Sequence, residues 1–311
     1  MRVAVVDIGS NSTRLLVAEV SDDGKVTELA RRSEVTRLAA GVDTTGLLAG
    51  DAMDRVYDVL EAYTEEIDAT GHVHRRVGVM TSASRDAANG EEFAAVIADR
   101  FAIETRVIEG DHEARLCFLG ATSDRDGNDS RPTCVLDIGG GSTELIVGRG
   151  RTVDFHVSTQ LGVVRQSERH LHSDPPTGAE LDELDDEARS TIQGAVPEDV
   201  RQEAEAMIAV AGTATWMASI DLGLEQYDSA RIHGDRISLG RCREIAAMLG
   251  SMTEAQRREV KGLHPDRAPT ILTGAHILCV AMECFGLDEV EVSQHDILYG
   301  VALQVAGHAG A

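Results

Sequence analysis

The chain has 311 residues, a formal net charge of −24, 42% hydrophobic residues and 3% aromatic ones. That length suffices for two cores, and that charge opposes non-specific binding to nucleic acid or anionic membranes. No apolar run of about 18 charge-free residues occurs, the N-terminus lacks signal-peptide features, and five irregularly spaced cysteines suit reduced core thiols better than a disulfide framework or zinc site; together these predict a soluble cytoplasmic protein.

The chain opens with an apolar, β-branched run, Val3 to Val6, then the string DIGSNSTRLLV from Asp7 to Val17. A strand, a tight Gly/Ser turn and a returning strand are expected. Val26 to Thr36 predicts a third strand. Asp51 to Asp68 sets Met53, Val56, Leu60, Tyr63 and Ile67 on one helical face, an amphipathic pattern. A strand at Arg76 to Met80, a helix at Asp86 to Arg100, a strand at Glu104 to Ile108 and a helix at Asp111 to Leu119 complete a βββαβαβα order. Ser123 to Pro132 is polar with Gly and Pro, the best linker candidate in the chain.

A second copy of the opening string follows: DIGGGSTELIV, Asp137 to Val147, is offset by 130 residues and identical at seven of eleven positions. An internal duplication of this kind predicts two similar supersecondary units. Strands are expected at Thr133 to Asp137, Thr143 to Gly148, Thr152 to Ser158 and Met207 to Ala211. Thr177 with Glu180 and Thr253 with Gln256 fit capping boxes. A long apolar helix from Pro269 to Phe285, a strand at Glu289 to Val292 and a last helix from Ile297 follow. The predicted fold class is α/β, an actin-like (ribonuclease-H-like) duplicated fold of two βββαβαβ domains flanking an interdomain cleft. The expected bounds are 1–124 and 125–311, with helix 297–311 packing back on the first domain.

Each turn has the composition of a phosphate loop, because Gly9 and Gly139, Gly140 and Gly141 carry no Cβ to keep an anion from converging backbone amides. The copies differ at the eighth position, Arg14 against Glu144. That exchange predicts divided labour: Arg14 brings positive charge to an anionic substrate, while Asp137 and Glu144 supply oxygen ligands to a divalent cation. All basic residues except Lys25 and Lys261 are arginines, the better bidentate phosphate partner. Ser82, Ser84 and Arg85 stand where a strand hands over to a helix, a position that favours anions. Glu109, Asp111 and Glu113 cluster at the next such junction; one of them could be a general base, and spacing alone does not choose among them. His72 with His74 and His170 with His172 have zinc-like spacing but no nearby third ligand. Ser293, His295 and Asp296 are too close in sequence to face one another as a triad, and a helix cap is the expected role.

The segments DIGSNSTRLL, TSASRDA, IEGDHEARLCFLG, DIGGGSTELIVG and AGTATWMA (Ala211 to Ala218) together closely resemble the Ppx/GppA family of exopolyphosphatases and guanosine pentaphosphate phosphohydrolases. The resemblance implies an actin-like fold and metal-dependent removal of terminal phosphate from inorganic polyphosphate or pppGpp, with Mg²⁺ (or Mn²⁺) as cofactor. It places the catalytic glutamate on Glu113, the metal ligands on Asp137 and Glu144, and phosphate contacts on Asp7, Ser10, Asn11, Ser12, Arg85, Gly139 and Ser142. Gly212 and Thr213 match a loop that would touch a guanosine or a distal part of the phosphate chain. Larger family members carry an additional helical C-terminal region, so short-chain polyphosphate is the expected substrate, with pppGpp as the alternative. A non-catalytic polyphosphate or nucleotide sensor is a less favoured reading. A homodimer is expected because related proteins often form one.

Overall fold

A computed structural model of the chain describes residues 1–125 and 129–308. The strands are β1 (Arg2–Ile8), β2 (Ser12–Val20), β3 (Val26–Val35), β4 (Arg75–Met80), β5 (Glu104–Val107), β6 (Thr133–Ile138), β7 (Thr143–Arg149), β8 (Thr152–Thr159), β9 (Ala206–Val210), β10 (Arg236–Ser238) and β11 (Glu289–Val292). The helices are α1 (Val42–Thr45), α2 (Gly50–Ala69), α3 (Ser82–Asp86), α4 (Gly90–Phe101), α5 (Gly110–Ala121), α6 (Val163–His170) and α7 (Gly178–Ala195). They continue with α8 (Glu198–Glu203), α9 (Ala211–Asp221), α10 (Ser229–Ile232), α11 (Leu239–Gly250), α12 (Glu254–Arg257), α13 (Ile271–Phe285) and α14 (Ile297–Val305). Two compact units result, one of residues 1–123 with the segment from Asp296 onward, the other from Asp124 to His295. The expected linker, 123–132, lies partly outside the described residues.

In the first unit a five-stranded sheet runs β3-β2-β1-β4-β5, antiparallel among the first three strands and parallel from β1 to β5. Side chains on β1 alternate between two cores, as the two-residue period of a strand dictates. Ala4, Val6 and Ile8 pack with Val56, Leu60, Tyr63 and Ile67 of α2 on one face. Val3 and Val5 pack with Leu116, Leu298, Val301 and Ala302 on the other. A strand buried on both faces reads as a continuous apolar run, which is how β1 reads. Helices α5 and α14 meet closely: a Cβ at Gly120 would lie 1.9 Å from the Asp296 carbonyl, and one at Gly300 would lie 1.8 Å from that of Leu116.

The second unit repeats the scheme with an added edge strand, in the order β10-β11-β9-β6-β7-β8. Even an irregularity is duplicated, since the pairing shifts between Val17 and Ala18 in one copy and between Val147 and Gly148 in the other. Both capping boxes form, at Thr177 with Glu180 and at Thr253 with Gln256. All five cysteines are buried thiols. Among the described residues, no helix is long and apolar enough to cross a membrane.

The helix expected from Asp86 to Arg100 begins only at Gly90, and a separate short helix, α3, precedes it. Ala87 is extended at φ −97° and ψ 133°, and the Asn89 side chain is spent on Leu48, accepting from its N–H at 2.8 Å and donating to its carbonyl at 3.0 Å. Gly90 then presses against the preceding turn, where a Cβ would fall 1.9 Å from the Ser84 carbonyl. A tertiary tie overrides local helical periodicity here, and it leaves α3 as a separate turn bearing Ser82, Ser84 and Arg85.

Candidate active site

The two DIG turns share one backbone design. Gly9 N–H donates to the Ser12 carbonyl at 3.0 Å and Gly139 N–H to that of Ser142 at 2.9 Å. A Cβ on Gly9 or Gly139 would stand 3.1 or 3.2 Å from those same carbonyls, tighter than an ordinary contact. Ser10 and Asn11 are buried, and their carbonyls receive Ala39 N–H at 2.9 Å and Thr36 N–H at 3.0 Å, so the segment after β3 braces the first turn. The Ser10 hydroxyl accepts from Ala83 N–H at 3.2 Å, tying that turn to α3. In the second copy, Val163 and Val164 at the start of α6 donate to the carbonyls of Gly139 and Gly140, each at 2.9 Å. Gly162 permits this approach, because its Cβ would lie 2.2 Å from Gly141.

The side chains diverge across an otherwise matching row. Strand register sets Asp7 opposite Arg14 and Arg14 opposite Ser33; in the second unit it sets Asp137 opposite Glu144 and Glu144 opposite Ser158. Directly opposed residues of antiparallel strands lie on one face. Arg14 therefore meets Asp7, donating to Oδ2 from Nε at 2.8 Å and from Nη2 at 2.5 Å, and its Nη1 donates to Asp296. All three nitrogens of its fork thus bind carboxylates of its own unit. In the second unit two carboxylates face each other, and Glu144 accepts from the Ser158 hydroxyl at 2.8 Å. Like charges so opposed cost stability on a sheet, and two carboxylates with a hydroxyl form an all-oxygen donor set suited to a hard divalent cation.

Asp7 is 3% exposed, and its Oδ1 is buried without a hydrogen-bond partner among the described residues. Burial pushes its carboxyl up from the ordinary value while the Arg14 guanidinium pulls it down. Ser12, by contrast, is half-buried at the start of β2.

Helix α5 separates the three acids left open above. Glu109 and Asp111 are exposed, whereas Glu113 is buried on the first turn. Arg85 Nη1 lies 2.9 Å from Glu113 Oε2 and also donates to the Ile108 carbonyl at 2.9 Å. The buried Ser84 hydroxyl has no hydrogen-bond partner among the described residues.

At the end of β9 the chain turns into α9 through Ala211, which adopts φ 61°, a left-handed conformation that strains a residue with a Cβ. Gly212 follows, and a Cβ there would meet Arg267 Nη1 at 3.1 Å. Thr213 is buried, packed so tightly on Gly274 that a Cβ there would lie 2.6 Å away. One helical turn on, the rings of Trp216 and Tyr227 lie 4.7 Å apart.

One other group has metal-type side chains. Asp124, His233 and His295 bring three ligand atoms within 4.8 Å of one another. Gln294 N–H donates to His233 Nδ1 at 3.1 Å, which fixes that ring with its proton on Nε2, and Nε2 lies 2.8 Å from Asp124 Oδ2. A ligating histidine uses a bare nitrogen toward the metal and donates from the other, the reverse of this arrangement. The cluster is a hydrogen-bonded clamp on Asp124, whose carboxyl the two imidazoles hold well below the ordinary range. Asp296, next in sequence, caps α14 by accepting from Leu298 N–H at 3.0 Å.

Asp296 is the residue that sequence reasoning missed. It lies 282 positions from Arg14, and no local pattern links them. Ser158, also missed, follows from strand register once β8 is aligned on β7.

Comparison with known proteins accords with this geometry. Residues 16–307 match the Ppx/GppA phosphatase family. The chain is 36% identical to exopolyphosphatase 2 of Mycobacterium tuberculosis, covering 98% of this chain and 99% of that one. It is 28% identical to the guanosine-5'-triphosphate,3'-diphosphate pyrophosphatase of Photobacterium profundum, over 97% of this chain and 59% of that one. The crystal structure of the Aquifex aeolicus Ppx/GppA family member superposes with a TM-score of 0.84 at 29% identity, covering 100% and 99% of the two chains. The duplicated α/β units are thus those of an actin-like fold, and the chain belongs to the Ppx/GppA phosphatase family.

Proposed function

We propose that the protein is an exopolyphosphatase that hydrolyses the terminal phosphate of inorganic polyphosphate and releases orthophosphate. The observation that carries this reading is the buried Glu113 on the first turn of α5, set 2.9 Å from Arg85. Two features support the reading, each within its own unit: a buried carboxylate beside a guanidinium in the first, and an oxygen donor set with a glycine-rich turn in the second. Hydrolysis of a phosphoanhydride needs these parts and little else, since positioning and charge stabilisation do most of the work.

In this mechanism Glu113 takes a proton from water as the water oxygen bonds to the terminal phosphorus and the bridging P–O bond breaks toward the shortened chain. Arg85 binds the phosphoryl oxygens. The amides of Gly139, Gly140 and Gly141, with the Ser142 hydroxyl, cradle the phosphates, and Asp7, Ser10, Asn11 and Ser12 form the second phosphate turn. Asp137 and Glu144 would hold Mg²⁺ or Mn²⁺, whose charge neutralises phosphate oxygens. For a chain with net charge −24, such local neutralisation is what lets a polyanion bind at all.

A second reading, a pppGpp 5'-phosphohydrolase, draws on the Trp216–Tyr227 ring pair one helical turn beyond Gly212, since aromatic faces suit a purine base. Phosphate release with Mg²⁺ from polyphosphates of graded length and from pppGpp separates the two. Faster release per enzyme from short polyphosphate supports the first reading; faster release from pppGpp replaces it with the second.

A further inference from the structure

Asp296 is 2% exposed and sits at the re-entry of the chain into the first unit. One of its oxygens caps α14 by accepting from Leu298 N–H at 3.0 Å. The other receives Arg14 Nη1 from β2 and, at 3.2 Å, Arg31 Nη2 from β3. Arg31 in turn pairs with Glu28 at 2.9 Å, and Glu28 accepts from the Tyr299 hydroxyl at 2.8 Å on α14. The Asp296 carbonyl abuts Gly120 of α5, the helix that carries Glu113 on its first turn. The groups facing Asp7 are therefore Arg14 directly and Asp296 behind it, with Arg31 compensating Asp296.

We propose that Asp296 is a positioning residue for the first phosphate turn: by taking the third nitrogen of Arg14 it fixes the guanidinium flat against Asp7 Oδ2 and leaves Oδ1 unpartnered at the base of the turn. Arg14 then acts as a strut and not as a phosphate ligand. A fork held at three points has one orientation, whereas a fork held by Asp7 alone could swing toward any nearby anion, including substrate. The proposal rests on the reading of Asp7–Ser12 as a phosphate turn in a hydrolase.

Asp296→Asn tests it. Asparagine caps a helix as well as aspartate does, so the fold survives. Because the capping oxygen must stay toward Leu298, the amide NH₂ faces Arg14, two donors meet, and the strut is lost. Misplacement of a binding group by about 1 Å costs up to about a hundredfold in rate. The expected result is a kcat for phosphate release lowered about tenfold or more with KM changed less than about threefold. In an Arg14→Gln background the same substitution is expected to add less than about twofold, because residues acting through one contact are non-additive. Arg14→Lys, which keeps the charge but loses the fork, should lower kcat similarly. Additive losses in the double variant, or an unchanged kcat in Asp296→Asn, would overturn the proposal while leaving the hydrolase reading intact. A wild-type protein that releases no phosphate from polyphosphate or pppGpp would overturn both.

Discussion

The two DIG turns carry the same backbone and opposite charge. In each, a glycine N–H closes on a serine carbonyl at about the same distance, 3.0 and 2.9 Å, and a strand row runs from aspartate through the eighth residue to a serine. Where that eighth residue is Arg14, the aspartate is neutralised within the protein; where it is Glu144, a second carboxylate is added. The difference teaches that duplication can keep a turn's backbone while one substitution decides whether its aspartate faces a guanidinium or a second carboxylate.

The largest expected effect sharpens the comparison by leaving both turns untouched. Glu113→Gln removes the base alone, and the expected loss in kcat is about 10² to 10⁴-fold, the usual contribution of general acid–base catalysis, with substrate still bound. Retained turnover would move the chemistry from α5 into the turns themselves. Gly162→Ala strikes the second turn only, because its Cβ would sit 2.2 Å from the Gly141 backbone. Overpacking of this kind costs about 1 to 3 kcal/mol, so a lower denaturant midpoint together with weakened activity is expected; a midpoint equal to wild type would show that the turn can yield.

The smallest effect is a control remote from either turn. Backbone N–H groups, that of Thr177 foremost, hold the Glu180 carboxyl at about 2, below its ordinary 4.5. A group lowered on folding contributes stability that is full above the unfolded value and fades as pH falls through the folded one. The stability advantage of wild type over Glu180→Gln, read from urea unfolding, should be present at pH 7, shrink below pH 4.5 and vanish near pH 2. An advantage that persisted at pH 2 would mean the cap acts through shape alone.

Much of the fold was legible because its signals are local. The apolar runs of β1 and β6, the α2 face of Val56, Leu60, Tyr63 and Ile67, and both capping boxes all declare themselves within a few residues. The short elements β10, α8 and α10 were not, since runs of three to six residues are too brief to carry a periodicity of their own. The site divides the same way. Sequence resemblance singled out Glu113, and among the three acids it is the buried one, with Glu109 and Asp111 exposed. The destination of Arg14 stayed hidden because its partner arrives from the far end of the chain, and a sequence shows the charge of a residue but not the company that uses it.

We propose that the second turn, and not the first, would hold the metal. This is tested most directly by titrating Mg²⁺ against phosphate release for wild type, Glu144→Gln and Arg14→Gln side by side. The account predicts that Glu144→Gln raises the half-saturating Mg²⁺ concentration by about tenfold or more, as loss of a hard oxygen ligand should, while Arg14→Gln lowers the maximal rate at a half-saturation close to wild type. An unchanged Mg²⁺ half-saturation in Glu144→Gln, or a shift in Arg14→Gln as large as that expected for Glu144, would contradict it.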